Sequence, residues 1–383
     1  MDKIKVLSVF GTRPEATKMA PLVKVLENDN SFESMVCVTA QHRDMLDEVL
    51  DIFKIKPDYD LNIMREGQSL EYITTSALNG MCPVIESAKP DIVLVHGDTS
   101  TTFVAGLAAF YKQVSLGHVE AGLRTGDKFQ PYPEEMNRKL TATLADVHFS
   151  PTQDAKANLL KENIDESSIF ITGNTAIDCA KNSVKENYIF KRDILNKIDF
   201  EGKRIIAMTA HRRENLGEPL ENICRAVLEI VNSNDNIEVV YPVHPNPAVK
   251  NIVYNMLYGA RGVHITKPLD FMDMHNLIAK SHLVLTDSGG IQEEAPTFGK
   301  PVVVLRNVTE RPEGIKAGTL VLAGSDKGKI VSVVHELMND KAAYEKMANA
   351  KNPFGDGFAS ERIAEVIKYY FKKTNIRPTD FIV

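Results

Sequence analysis

Three carboxylates in the first half of the chain each follow an apolar run or precede a helical one. Asp98 lies in His96-Gly97-Asp98-Thr99, directly after Ile92–His96. Glu120 lies in His118-Val119-Glu120-Ala121-Gly122, after Val114–Val119. Glu134 lies in Pro131-Tyr132-Pro133-Glu134-Glu135, just ahead of a helical stretch. The first two occupy equivalent strand ends, so they can converge above one sheet edge. Acids crowded into a partly dry cleft push one another's pKa values apart, which supplies an acid and a base from one residue type. Asp98 could instead cap the helix beginning at Ser100, and Glu135 the helix that follows it.

A second set of residues suits an anion. In Gly11-Thr12-Arg13-Pro14-Glu15 the glycine permits close backbone approach, and Pro14 suits a first helical position. Arg13 then presents a planar fork that pairs a phosphate bidentately, and Lys18 lies about one turn later. In Asp287-Ser288-Gly289-Gly290-Ile291-Gln292-Glu293-Glu294 the paired glycines free backbone N–H groups at a strand-to-helix junction. Ser288 adds a hydroxyl, Glu294 is placed to accept from ribose hydroxyls, and Arg311 follows in Thr309-Glu310-Arg311-Pro312-Glu313. His211-Arg212-Arg213-Glu214 closes another apolar run and suits a diphosphate, or a surface ion-pair cluster with Glu214.

The elements that must position these groups are short strands alternating with helices. The strands expected are Val6–Phe10, Met35–Thr39, Ile92–His96, Val114–Val119 and Val147–Ser150. A second series is Ile205–Thr209, Ile237–Pro242, Val263–Thr266, Leu283–Thr286, Val302–Leu305 and Leu320–Leu322. Their apolar character on both faces suits parallel sheets covered by helices. Ala16–Asn28, His42–Phe53, Ser100–Tyr111 and Leu220–Ser233 carry apolar residues at helical spacing. The expected architecture is α/β, with two Rossmann-like domains and right-handed crossovers. Residues 1–173 form the first domain. Residues 174–359 form the second, with 174–200 a strand-free helix and connector. Residues 360–383 form a helix that packs back on the first domain, capped by Ser360-Glu361-Arg362.

At 383 residues the chain suits two domains, and 43% hydrophobic with 25% charged residues is ordinary globular composition. A net charge of -6 argues against a general nucleic-acid or anionic-membrane binder. No apolar run reaches the ~18 residues of a membrane helix, and the first residues lead directly into a strand without a signal-peptide pattern. A cytoplasmic protein is expected. The four cysteines form no CxxC pair and read as buried thiols. His96, His118, His148, His211 and His244 lie near strand ends without metal-pair spacing, so no metal is expected. GxGxxG and GxxxxGK[ST] are both absent, which argues against an NAD enzyme and an ATPase.

Taken together, GTRPE, HGDTSTT, HVEAGLRTGD, PYPEEMNR, TGNTAID, TAHRREN, DSGGIQEEAP and TERPEG, in this order and spacing, closely resemble the non-hydrolysing UDP-N-acetylglucosamine 2-epimerases. The resemblance covers essentially the whole chain. It implies a glycosyltransferase-B-like fold with the substrate in an interdomain cleft, and a homodimer. It implies interconversion of UDP-GlcNAc and UDP-ManNAc without a cofactor. UDP is eliminated to leave 2-acetamidoglucal and added back with carbon 2 inverted. Asp98, Glu120 and Glu134 would form the acid/base group, with His211 near the diphosphate as a further catalytic aid. Arg13, Ser288, Gly289 and Gly290 would hold the diphosphate and ribose, with Lys18 and Arg212 close by. Glu294 would take the ribose hydroxyls and Arg311 would complete the nucleotide site. Leu269–Met274 matches the segment whose backbone reads uracil. Met274 stands where an aromatic residue is common, so only a main-chain contact carries over.

One departure concerns a second UDP-GlcNAc site that activates many bacterial members. Gln41 and His244 are kept, but Asp44 replaces a glutamine and Gly67 an arginine. Losing a cation and adding an acid should weaken an anionic effector, so reduced substrate activation is expected. The rivals are a hydrolysing epimerase that releases UDP and ManNAc, a UDP-sugar glycosyltransferase, and a non-catalytic UDP-sugar sensor. UDP-ManNAc would feed surface polysaccharide synthesis.

Overall fold

The computed structural model describes residues 2–383, with the side chains of Asp44 and Met45 not described. The chain divides into two compact units, residues 1–179 with 355–382, and residues 180–354 with 383. The first unit therefore includes 174–179 and 355–359, which sequence reasoning assigned to the second.

The first unit runs β1 (Ile4–Phe10), α1 (Arg13–Asn28), β2 (Phe32–Val38), α2 (Asp44–Phe53), β3 (Tyr59–Asp60), α3 (Leu70–Ala88), β4 (Ile92–His96), α4 (Ser100–Tyr111), β5 (Ser115–Val119), α5 (Glu134–Leu144), β6 (Val147–Ser150), α6 (Gln153–Lys161), β7 (Ile169–Ile171) and α7 (Thr175–Ser183). The division from the second unit falls inside α7. All seven strands are parallel, in the order β3-β2-β1-β4-β5-β6-β7.

The second unit runs β8 (Arg204–Thr209), α8 (Glu218–Ser233), β9 (Ile237–Pro242), α9 (Pro247–Leu257), β10 (Val263–Thr266), α10 (Phe271–Lys280), β11 (Leu283–Thr286), α11 (Gly289–Glu294), β12 (Val302–Val304), α12 (Pro312–Ala317), β13 (Leu320–Leu322), α13 (Lys327–Asn339) and α14 (Lys341–Ala348). Its six parallel strands are ordered β10-β9-β8-β11-β12-β13. Helix α15 (Ala359–Tyr370) returns to the first unit.

Both units are Rossmann-like, and each buries its sheet on two faces. In the second, Ile206, Met208, Val239 and Tyr241 pack on α8 and α13. Their neighbours Ile205, Ala207 and Val240 pack with Leu277 and Ile278 of α10. Alternate residues serve opposite layers, which is why these strands read as continuous apolar runs. In the first unit Leu7, Val9, Val93, Val95 and Leu116 pack against α3 and α4.

Strand order reverses direction between β1 and β4, and again between β8 and β11. At such a switch point the two crossovers leave on opposite faces and open a crevice beyond the strand ends. The Gly11 and Asp98 turns follow β1 and β4, and the His211 and Asp287 turns follow β8 and β11.

The expected strands are present with some ends shifted: Val6–Phe10 begins at Ile4, Met35–Thr39 is Phe32–Val38, Val114–Val119 begins at Ser115, Ile205–Thr209 begins at Arg204 and Val302–Leu305 ends at Val304. Two were missed. β3 has two residues and β7 three, too few to show a period. The helix expected from His42 begins at Asp44, so His42 and Arg43 precede it. The C-terminal segment also departs from expectation. Helix α15 ends at Tyr370, and residues 371–382 continue without helix to pair with the β7 edge. There Phe381 N donates to the Ile171 carbonyl at 2.7 Å, and Ile171 N donates to Asp380 at 2.9 Å. The segment covers an edge strand's open hydrogen-bonding groups. Nor does Ser360 cap α15. Asp178 of α7 does so, accepting from Ala359 N at 3.1 Å and Ser360 N at 2.6 Å. Burial pushes the Asp178 carboxyl up to about 6, against those hydrogen bonds.

Candidate active site

The β1–α1 turn forms because Gly11 has room for no side chain. A Cβ there would lie 2.0 Å from Thr39 Oγ1 and 2.6 Å from Thr101 Oγ1. Thr12 then starts α1, with Arg13 and Pro14 at its first positions. Glu15, 2% exposed, folds back so that Oε2 accepts from Thr12 N at 2.9 Å, a capping box.

The crevice beyond this switch point is a cavity of about 440 Å³. Arg13, Lys18, Gln41, Asp98, Glu120 and Glu134 all line it, with Glu15, His96 and Asn137. Within the first unit, the structure thus brings the three expected carboxylates together with both expected cations. Each carboxylate is held differently. Asp98 Oδ2 accepts from Arg138 Nη2 at 2.6 Å, and its carbonyl accepts from Asn137 Nδ2 at 2.9 Å. Thr99, not Asp98, caps α4, accepting from Thr102 N at 3.1 Å. Glu135 is no cap either. It accepts from Thr125 N at 3.1 Å and Gly126 N at 3.2 Å, which ties down the loop ahead of Glu134. Glu134 Oε2 is buried without a hydrogen-bond partner among the described residues.

Glu120 has a backbone φ of 62°, a left-handed conformation rare outside glycine. Its carboxylate is ion-paired with Lys18 and accepts from Asn174 Nδ2 at 3.1 Å. His96 Nε2 lies 3.6 Å away. Burial chiefly holds the His96 pKa down at about 4, against the pull of Glu120, so its ring is neutral at neutral pH. His118 is likewise depressed to about 3 by burial, and His148 to about 4. His118 Nε2–H donates to the Gly97 carbonyl at 2.7 Å, which fixes the backbone beside Asp98. No group of three or more His, Cys, Asp or Glu among the described residues is arranged to hold a metal ion.

In the second unit Asp287, fully buried at the end of β11, organises the arginine turn. Its Oδ2 accepts from His211 N at 2.7 Å, Arg212 N at 2.8 Å and Asn215 Nδ2 at 3.0 Å. Burial lowers the His211 pKa, opposed by Asp287, whose Oδ1 stands 3.6 Å from Nδ1. His211 also stacks on His244, with ring centroids 5.1 Å apart. A Cβ on Gly289 would sit 3.7 Å from Arg311 Nη2 and 3.8 Å from Arg212 Nη2, so both guanidinium groups flank the glycine turn. Ser288 occupies the position before α11 without a side-chain capping bond among the described residues. Arg311 is ion-paired with Glu293. Glu294 Oε2 stands 3.1 Å from His275 Nε2, and His275 Nδ1 is 2.6 Å from Ser183 Oγ. The arrangement offers N–H groups and two cations to an anion, with a carboxylate close by. Met274 packs against the α10 core, and its N–H is committed to the Asp270 carbonyl at 3.0 Å. It offers a base no free N–H.

Around Gln41, the Oε1 accepts from Thr101 Oγ1 at 3.4 Å and the carbonyl from Gln68 Nε2 at 2.9 Å. Arg43 is paired with Asp47 and Asp60. Gly67 has a φ of 67°, and the Asp44 side chain lies outside the described residues.

Sequence reasoning missed Glu15, Asn137, Arg138 and Asn174 as parts of the site. Asn137 and Arg138 stand three and four residues after Glu134, one helical turn, and that spacing was the available signal. Asn174 sits inside a quoted motif, but nothing local shows that it meets Glu120.

Comparison with known proteins gives one answer. The family model described as UDP-N-acetylglucosamine 2-epimerase matches residues 24–368. The UDP-N-acetylglucosamine 2-epimerase of Bacillus subtilis is 53% identical over 381 residues, covering 100% of this chain and 99% of that one. A co-structure of S. aureus MnaA with UDP superposes with a TM-score of 0.87 at 50% identity, covering 99% and 100% of the two chains. The UDP-GlcNAc 2-epimerase of Neisseria meningitidis bound to UDP-GlcNAc gives a TM-score of 0.83 at 48% identity, covering 95% and 99%.

Proposed function

The chain belongs to the UDP-N-acetylglucosamine 2-epimerase family, and on that premise we propose that it interconverts UDP-GlcNAc and UDP-ManNAc without hydrolysis and without a cofactor. The observation that carries the reading is the meeting of Asp98, Glu120 and Glu134 with Arg13 and Lys18 around one cavity. A base among the carboxylates removes the proton from carbon 2. The bond from carbon 1 to the UDP oxygen breaks, its electron pair leaves with UDP, and carbons 1 and 2 become doubly bonded in 2-acetamidoglucal. Return of the UDP oxygen to carbon 1, with a proton delivered to the other face of carbon 2, completes the inversion. The three carboxylates share these roles as a coupled group.

Departure of UDP places negative charge on the diphosphate, and fixed cations and N–H groups stabilise it most where they need not reorganise. Arg212, Arg311 and the Gly289-Gly290 turn of the second unit suit that task. His211 joins them, and Glu294 takes the ribose hydroxyls. Relatives solved with UDP and with UDP-GlcNAc support the choice of ligand. The same reading assigns two domains, a cytoplasmic homodimer, and supply of UDP-ManNAc to surface polysaccharide synthesis. Exposed Phe110 and Tyr111 at the end of α4 suit a subunit contact. Among the described residues, no helix is long and apolar enough to cross a membrane.

Anion-exchange chromatography of a reaction with UDP-GlcNAc tests the proposal. UDP-ManNAc should accumulate with no more than trace free sugar. Free ManNAc with equal UDP would mean hydrolysis instead. Substrate activation through Gln41 and His244 should be weak, giving a hyperbolic rate curve. A sigmoidal curve abolished by Gln41→Ala would contradict that part.

A further inference from the structure

Glu15 is a buried carboxylate that the chemistry above leaves without a task. Taking a carboxylate out of water is costly unless its oxygens are fully hydrogen-bonded. Those of Glu15 are, and they divide their donors cleanly. Oε2 accepts from Gly11 N at 3.1 Å, Thr12 N at 2.9 Å and Thr12 Oγ1 at 2.8 Å, all in the turn that carries Arg13. Oε1 accepts from Thr99 Oγ1 at 2.7 Å, at the first turn of α4 directly after Asp98, and shares the Thr102 hydroxyl, 3.1 Å away, with the nearer His96 carbonyl at 2.5 Å. A residue that only caps its own helix needs one oxygen. The second oxygen of Glu15 reaches a turn 84 residues further along the chain.

We propose that Glu15 is a positioning residue for epimerisation, one carboxylate that fixes the Asp98 turn against the Arg13 turn across the switch point between β1 and β4. The role rests on the reading of Asp98 as a member of the acid/base group. Small displacements of such a group are expensive, because ~1 Å can cost on the order of a hundredfold in rate. Residues that act through one another also lose their effects non-additively.

The test is a double-mutant cycle of Glu15→Ala with Asp98→Asn, read as kcat and KM for UDP-GlcNAc epimerisation on folded protein. Glu15→Ala should lower kcat by roughly ten- to a hundredfold and change KM by less than about threefold. On the Asp98→Asn background the same change should cost less than about threefold. Glu15→Gln should recover most of the loss. Its amide oxygen can serve the two N–H groups, and its NH2 can face threonine hydroxyls that rotate to accept. Equal losses on both backgrounds, or a folded Glu15→Ala with wild-type kcat, overturn the proposal. If Glu15→Ala does not fold, Glu15→Asp, which keeps the charge but is one methylene too short to span both turns, is put through the same cycle with the same criteria. Wild-type protein without epimerase activity would overturn the reading of function itself, and this role with it. An active wild type with an additive cycle would overturn only the role.

Discussion

Replacing Arg138 by Met should separate the support of Asp98 from the support of the fold. Arg138 Nη2 donates to Asp98 at 2.6 Å and Nη1 to Glu135 at 3.3 Å, with side chains 15%, 25% and 0% exposed. Methionine keeps much of the apolar stem and removes the charge. Two unit charges about 4 Å apart attract by about 4 kcal/mol at an effective dielectric of 20, before desolvation is subtracted. A charged hydrogen bond is worth about 1.5–3 kcal/mol net, and the 3.3 Å bond belongs at the low end. The loss should be about 3 kcal/mol of unfolding free energy, a drop of roughly 6–12 °C in melting temperature if the first unit unfolds by itself. Asp98 would then lose its side-chain anchor, and kcat should fall by roughly ten- to a hundredfold with KM nearly unchanged. Arg138→Lys should lie between, because an ammonium is a point charge that cannot fork to two carboxylates. Differential scanning fluorimetry and steady-state kinetics on the same preparations decide it. A melting temperature that falls while kcat stays at the wild-type value would refute the argument that Arg138 holds Asp98 for catalysis.

Three further outcomes follow from single observations. Gly289→Ala brings a methyl to 3.7 Å from Arg311 and 3.8 Å from Arg212, so UDP affinity by titration calorimetry should drop at least about tenfold with little change in stability. Unchanged affinity would remove this turn from the nucleotide site. Gly122 has a φ of 93°, and a Cβ there would meet the Ala155 carbonyl oxygen at 2.3 Å. Gly122→Ala should therefore cost about 3 kcal/mol in urea unfolding, and a shift below about 1 kcal/mol would contradict the backbone contact. His96, His118 and His148 have folded pKa values of about 4, 3 and 4, below the ordinary 6.5. The unfolded chain binds their protons first, so stability should begin to fall as pH drops below about 6.5, by up to about 1.4 kcal/mol per pH unit for each histidine. The carboxyl of Asp178, raised to about 6 by burial, acts oppositely below that pH and offsets part of the slope, and Glu15, raised by burial, acts in the same sense. His148→Gln should flatten the decline between pH 6.5 and 5, and an unchanged slope would count against a buried neutral ring.

Much of this was legible because parallel strands buried on both faces write themselves as apolar runs. Ile92–His96 and Leu283–Thr286 run as expected to the residue. Turns at the ends of such strands then locate a crevice without any geometry. What was not legible depends on contacts distant in sequence. Nothing near Asp98 announces Arg138, and nothing near α15 announces Asp178 as its cap. Glu15 stands between Arg13 and Lys18 in sequence, yet in the fold it is buried and bonded to a turn that only sheet order brings alongside. Strands β3 and β7, two and three residues long, exist because neighbours offer pairing, not because their own residues demand it.

The central claim is that a carboxylate removes the proton from carbon 2 while UDP leaves. Proton NMR of the purified protein with UDP-GlcNAc in heavy water, without added cofactor or metal, tests it most directly. The account predicts deuterium at carbon 2 of the UDP-ManNAc that accumulates, with only trace free sugar, and loss of exchange in Glu120→Gln. UDP-ManNAc that forms with its original proton retained at carbon 2 would contradict it.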